Sequence, residues 1–148
     1  GFFVITDSDV IPNKNLPKKF MWTLITKLIK YNYTCSKVGF ALRIDNLPKE
    51  NPLTESNYSW EQKYWKTLLE KNIYSASIDT TFALYKPNFK YTNQSYFIKG
   101  IRIAGNFIAE HGGWYINPNA LTDEQKYYFE TASTSSTVSQ FLKETGHI

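Results

Sequence analysis

The stretch Phe2-Phe3-Val4-Ile5-Thr6-Asp7-Ser8-Asp9-Val10-Ile11-Pro12 constrains this chain more than any other. Four apolar residues, two aromatic and two β-branched, predict a strand buried on both faces. Two carboxylates one residue apart follow at once, and Pro12 is expected to stop further pairing. In an extended or turning backbone Asp7 and Asp9 can both face the edge of the sheet. Two such carboxylates repel each other unless a cation sits between them. Open α/β sheets bind ligands just beyond the carboxyl ends of their strands, so the position carries weight as well as the residues. A polar turn that closes a buried strand is the plain alternative.

The rest of the composition narrows the class. With 148 residues, 42% of them hydrophobic and 17% aromatic, the chain suffices for one folded domain with a core. A net charge of +4 is a mild basic bias, suited to an anionic ligand such as a phosphate ester but too small and dispersed for nucleic acid. Cys35 is the single cysteine, so no internal disulfide can form. No apolar run approaches the ~18 residues of a membrane span, and no signal peptide is visible. These features point to the cytoplasm, at most to the face of a membrane.

Along the chain, Phe20, Met21, Leu24, Ile25, Leu28 and Ile29 recur at helical spacing to about Lys30. They predict an amphipathic helix packed on the first strand, with its lysines as a solvated face. Lys37 to Asp45 alternates as a strand, and the polar, Pro-containing segment to Asn57 reads as a surface loop. Ser59 and Gln62 have capping-box spacing, which predicts a helix through Trp60, Tyr64, Trp65, Leu68 and Leu69 to about Lys71. Strands follow at Ile73 to Ser77, Ile78 to Tyr85 and Phe97 to Ile103, with a polar loop from Asn88 to Ser95. Ala104 to Tyr115 has no period but holds His111, Gly112, Gly113 and Trp114. Thr122 and Gln125 form another capping box for a helix to about Phe129, and a last helix runs from Val138 to about Glu144 before Gly146. The pattern as a whole predicts an α/β fold, a mixed sheet flanked by helices, in one domain over 1–148.

Asp7, Asp9 and His111 are the candidate metal ligands. Carboxylate with imidazole suits Mn²⁺ better than Ca²⁺, and a metal so held can bridge two phosphates. Glycines beside His111 let backbone approach a ligand closely. A shared metal requires Asp9 and His111 on one edge of the sheet, which the strand from Phe97 to Ile103 would achieve by running beside the first strand.

These residues carry a resemblance. Val4 to Pro12, the Gly39-Phe40-Ala41-Leu42 strand, Trp60-Glu61, Asp79-Thr80-Thr81-Phe82-Ala83-Leu84, and Ile101-Arg102 followed by His111 and Trp114-Tyr115 resemble, in order, the DxD strand and later motifs of GT-A glycosyltransferases. The likeness covers nearly all of the chain but only the second half of such an enzyme. It implies that a Rossmann-like, nucleotide-binding half precedes Gly1. It implies a Mn²⁺ or Mg²⁺ cofactor, a nucleotide-sugar donor and a saccharide acceptor, in polysaccharide biosynthesis or a similar pathway. Asp7, Arg102 and Trp114 would face the donor, Asp7, Asp9 and His111 the metal, and Asp79 or Glu61 would be the catalytic base. His111-Gly112-Gly113-Trp114 matches the retaining His-Gly, Lys-Pro-Trp pattern only in part, so the stereochemical course stays open. Asp79 could equally form a strand-end turn, and Glu61 could be a first-turn acid favoured by the helix dipole.

Two other readings stand beside this one. Asp7-Ser8-Asp9-Val10 also fits the first motif of a haloacid-dehalogenase-type phosphatase, although no later Gly-Asp or Asp-Asp pair completes that site. A non-catalytic saccharide-binding or structural remnant of a transferase would use its aromatics to stack on sugar. Zinc fingers, a P-loop, a dinucleotide fingerprint and a Gly-x-Ser-x-Gly elbow are absent from the sequence.

Overall fold

The computed structural model describes residues 1–79, 81–90, 99–132 and 137–148. Its elements in chain order are β1 (Phe3–Ile5), β2 (Val10–Pro12), α1 (Phe20–Lys30), β3 (Lys37–Phe40), α2 (Thr54–Glu61), β4 (Leu68–Glu70), β5 (Ile73–Ser77) and β6 (Ala83–Tyr85). Then come β7 (Lys99–Ile103), β8 (Ala109–His111), α3 (Asp123–Thr131) and α4 (Thr137–Glu144). Six strands form a mixed sheet in the order β1-β6-β3-β7-β5-β4, while β2 and β8 form a separate ribbon. The strands β3 and β7 pair in parallel, with Val38 opposite Ile101, and Leu42 makes an isolated parallel bridge to Ala109 of β8. The expected α/β class, a mixed sheet with helices, is the fold observed.

The middle strands are buried, apolar on the face under α1 and carrying the buried charges Lys37 and Arg102 as well. All four residues of β3 are buried. Gly39 is required there: a Cβ would lie 2.4 Å from the Phe82 carbonyl oxygen, and the close approach lets Phe40 stack on Phe82 at 4.8 Å. Leu24 and Leu28 of α1 close this core over Val38, Phe40, Leu42, Ile101 and Ile103. The helix therefore sits chiefly on β3 and β6 rather than on the first strand. A smaller cluster of Ile116, Phe129 and Leu142 ties α3 to α4. The Thr122 and Gln125 capping box opens α3 as its spacing predicts.

Four expectations are corrected. The first strand is not buried on both faces: β1 is an edge strand paired only with β6, and Phe2 and Val4 are exposed. Pro12 does not stop pairing, since it lies in β2 opposite Ala109, at the end of a two-stranded ribbon that needs no further donor. The helix expected from Ser59 to Lys71 starts earlier, at Thr54, and ends at Glu61. In the turn before it, Asn51 Oδ1 accepts the Leu53 N–H at 2.9 Å and the Asn51 carbonyl accepts the Thr54 N–H at 3.0 Å, while Leu68 and Leu69 leave the helical path to form β4. Finally, only Ala83–Tyr85 of the stretch from Ile78 to Tyr85 is strand. Thr80, the polar loop beyond 90 and residues 97 and 98 of the strand expected from Phe97 to Ile103 lie outside the described residues.

The lysines of α1 are not simply solvated. Lys27 Nζ and Tyr31 Oη each donate to Glu70 Oε1 at 2.8 Å, and Lys30 Nζ donates to the same oxygen at 3.0 Å. Three donors hold the Glu70 carboxyl down to about 2, with Lys27 contributing most. They clip the end of α1 to the edge strand β4.

Candidate functional site

The chain reverses after β1 in a turn whose Val10 N–H donates to the Asp7 carbonyl at 3.4 Å. That turn sets Asp7 and Asp9 on the same end of the strand. The β2–β8 ribbon then places Val10 opposite His111. One ligand atom from each of Asp7, Asp9 and His111 lies within 4.8 Å of the others. His111 Nδ1 is 3.2 Å from Asp9 Oδ2, and Nε2 is 3.7 Å from Asp7 Oδ2. The three residues brought together across a hundred positions are those the sequence singled out. The route is different from the expected one: β7 runs between β3 and β5, away from β1, and it is the short β8 beyond it that pairs beside the two aspartates.

The Asp9 side of this cluster is built from backbone. Gly112 N donates to the Asp9 carbonyl at 2.8 Å, and Gly113 N donates to Asp9 Oδ2 at 2.9 Å. A Cβ on Gly112 would lie 3.0 Å from the Asp9 carbonyl oxygen, so a side chain here crowds the carboxylate's own backbone. Trp114 stacks on the His111 ring at 5.1 Å and 14°. Asn51, buried, donates from Nδ2 to the Trp114 carbonyl at 3.0 Å. Tyr115 Oη donates to Asn46 Oδ1 at 2.7 Å. The segment read as a surface loop thus clamps the loop that carries His111. Asn46 and Asn51 escaped the sequence reading because Asn at or near a Pro is ordinary turn chemistry, and nothing local marks a long-range partner.

The cluster's electrostatics suit a cation. Burial opposes charge on His111, but Asp7 and Asp9, with Asp79 farther off, outweigh it and raise the imidazole above its ordinary value. His111 Nδ1 is buried with no aligned hydrogen bond among the described residues, despite its closeness to Asp9. Ligands of one divalent ion with bonds of about 2.2 Å stand roughly 3–4.5 Å apart, close to the spacing found here. Two carboxylates and an imidazole fit Mn²⁺ or Mg²⁺, with Mn²⁺ favoured by the nitrogen donor.

The other candidates form a second cluster. Arg102 and Glu61 are each 1% exposed and in direct contact through Nη1 and Oε1. Arg102 Nε donates to the Ser77 carbonyl at 2.8 Å, its guanidinium lies 4.2 Å from the Tyr64 ring centre, and Nη2 is 3.7 Å from Asp79 Oδ1. Arg102 is thus buried with Nε and Nη1 committed to Ser77 and Glu61, while Nη2 has no hydrogen-bond partner among the described residues. Glu61 is equally enclosed; burial pushes its carboxyl up to about 7 against the pull of Arg102. Asp79 is the accessible member, its side chain 23% exposed. Charge on Asp79 is felt at His111, and charge on His111 at Glu61, so the two clusters share one electrostatic neighbourhood. Lys37, fully buried, contacts the Ile78 carbonyl; burial pulls its ammonium down to about 8, with Asp79 opposing.

Fold and site together define an α/β protein with a carboxylate–imidazole cluster at the end of an edge strand. Comparison with protein-family models, with curated proteins and with solved structures finds no match to this chain.

Proposed function

We propose that this chain is the catalytic portion of a metal-dependent GT-A glycosyltransferase, using Mn²⁺ or Mg²⁺ at Asp7, Asp9 and His111. The observation that carries the proposal is the convergence of those three side chains on one point beyond β1, from segments that the Gly113 to Asp9 hydrogen bond ties together. A divalent ion held there would supply positive charge to the diphosphate of a nucleotide-sugar as it leaves. Asp9, fixed by two glycine N–H groups, holds its oxygens in place before any ligand arrives. Trp114 holds the imidazole plane, and Asn51 holds Trp114. Asp79 is the better candidate for the base that takes a proton from a saccharide hydroxyl. It is the exposed carboxylate of its cluster, whereas Glu61 is enclosed by Arg102 and Tyr64. Glu61 and Arg102 then serve to position Asp79.

The test is release of nucleoside diphosphate from UDP- and GDP-sugars, with and without Mn²⁺ and a panel of saccharide acceptors. Release that needs both Mn²⁺ and Asp9, and falls at least ~100-fold in Asp79→Asn, supports the reading. Hydrolysis of a generic aryl phosphate with Mg²⁺, lost in Asp7→Asn, would replace it with a phosphatase.

A further inference from the structure

The chain carries its basic charge unevenly. Between Asp9 and Asp45 there is no acidic residue, while Lys14, Lys18, Lys19, Lys27, Lys30, Lys37 and Arg43 all fall in that interval. Four of them are committed: Lys27 and Lys30 to Glu70, Arg43 to Asp45, and Lys37 within the interior. Lys14, Lys18 and Lys19 remain exposed, with no ion pair among the described residues.

Next to these lysines, α1 turns large apolar side chains to solvent. Trp22 is 66% exposed and Ile29 is 63% exposed. They are seven residues apart on one helix, so they lie along one face. Lys18 and Lys19 lie four and three residues before Trp22, in a turn that leads directly into the helix through the Phe20 N–H to Pro17 carbonyl bond. Tyr33, in the turn that follows α1, is 99% exposed, and Ile29 shares a surface groove with Phe2 and Lys86.

We infer that the outer face of α1, with Trp22, Ile29 and Tyr33 flanked by Lys14, Lys18 and Lys19, docks on an anionic lipid surface, lying in the plane of the interface. The chemistry is that of interfacial helices: an indole and a phenol at the headgroup level, an aliphatic side chain beneath, and lysines that snorkel to phosphate. A second copy of the chain fits less well, because a two-fold contact through this face would set lysine against lysine. Nucleic acid would leave Ile29 without a partner. No described helix is long and apolar enough to cross a membrane, so the contact is peripheral. The inference rests on α1 alone and does not depend on the proposed transferase chemistry.

Sedimentation of the chain with vesicles tests it. Neutral phosphatidylcholine vesicles are compared with vesicles containing about a third phosphatidylglycerol. Binding to the anionic vesicles should be at least ~10-fold stronger, and should fall sharply in 0.5 M salt. The variant Lys14→Gln/Lys18→Gln/Lys19→Gln should lose the anionic preference, and Trp22→Ala/Ile29→Ser should lose binding to both. These positions are on the surface, so circular dichroism should show both variants folded. Failure to sediment, or sedimentation indifferent to both variants, overturns the proposal. Concentration-dependent dimers in analytical ultracentrifugation that Trp22→Ala/Ile29→Ser abolishes would assign the face to a second copy instead.

Discussion

Asp9 accepts a hydrogen bond from the backbone N–H of Gly113, 104 residues later in the chain, at 2.9 Å. With the Gly112 N–H on the Asp9 carbonyl, the β2–β8 ribbon closes on the aspartate from both its main chain and its side chain. A carboxylate held by backbone donors does not need a metal to stay in place, so the fold and the ion-binding step are separable.

That separation makes His111→Ala informative. The imidazole is one of three proposed ligands and sits at the end of β8, apart from the six-stranded sheet, so the variant should keep its thermal midpoint to within a few degrees. Its affinity for Mn²⁺, measured by calorimetry, should drop by at least ~10-fold. An unchanged affinity would remove His111 from the ligand set.

Gly112→Ala probes the same ribbon through sterics. The added methyl meets the Asp9 carbonyl oxygen at 3.0 Å and the Asp9 Cβ at 3.2 Å. Relief requires the two strands to part by a few tenths of an ångström, which also lengthens the Gly113 bond. Mn²⁺ affinity should fall by about 3–10-fold, corresponding to roughly 1 kcal/mol. Gly113→Ala, whose methyl meets Asp9 Oδ2 only at an ordinary 3.4 Å, should have the smaller effect.

Proton and metal compete for the imidazole, and the sign follows from its raised pKa. Protonated His111 is stabilised by Asp7 and Asp9 against the cost of burial. Neutral imidazole is needed for a metal bond, so Mn²⁺ affinity should be constant at high pH and weaken as pH falls through a value above the ordinary ~6.5. His111→Ala should flatten the profile across that window. A wild-type profile flat from pH 8 to pH 6 would show that no histidine nitrogen binds the ion.

The site was more legible in the sequence than the path to it. Asp7, Asp9 and His111 stand out because two carboxylates after a strand and a histidine between glycines have few structural duties. Their meeting depends on strand pairing, which a single sequence reports poorly. Phe3, Val4 and Ile5 read as a doubly buried strand because apolar runs do not distinguish a centre strand from an edge. The helix through Trp60 and Tyr64 was misplaced because Ser59 and Gln62 imitate a capping box, while the helix starts at Thr54, after a turn in which Asn51 accepts the Leu53 N–H. The burial of Arg102 was not legible because a buried arginine and an exposed one have the same letter. Its three partners, Ser77, Glu61 and Asp79, come from two other segments.

The core makes a simple quantitative claim. Leu24 is fully buried beneath β3, in contact with the cluster that includes Val38 and Phe40. Leu24→Ala should lower unfolding free energy by about 2–5 kcal/mol in urea, through lost transfer energy and the cavity left behind. Ile29→Ala, on the exposed side of the same helix, should change it by less than about 1 kcal/mol.

Glu61 gives the last prediction, and its sign is opposite to that of a paired surface carboxylate. Burial outweighs Arg102 and raises the folded pKa to about 7, whereas an unfolded glutamate titrates near 4.3. The folded state therefore holds this proton more tightly than the unfolded state. The stability it contributes is fully present below about pH 4.3, diminishes as pH climbs between the two values, and is gone once pH has risen through about 7. Glu70 acts the other way: held down to about 2 by Lys27, Lys30 and Tyr31, it stabilises above the unfolded value and loses that effect as pH falls toward 2. Between pH 5 and pH 8 Glu70 is ionised in both states, but His111 and Lys37 also titrate in or beside that range, so Glu61 is isolated by the difference in urea midpoint between wild type and Glu61→Gln. Glu61→Gln should remove the part of the decline that Glu61 causes, and the difference between wild type and variant should shrink toward pH 5. Arg102→Ala is the complementary change: it leaves Glu61 buried without its guanidinium and should cost about 3–5 kcal/mol near neutral pH. The loss should be smaller at pH 5, where Glu61 takes up a proton. A penalty for Arg102→Ala that grew at low pH would show that Glu61 is not the group that titrates.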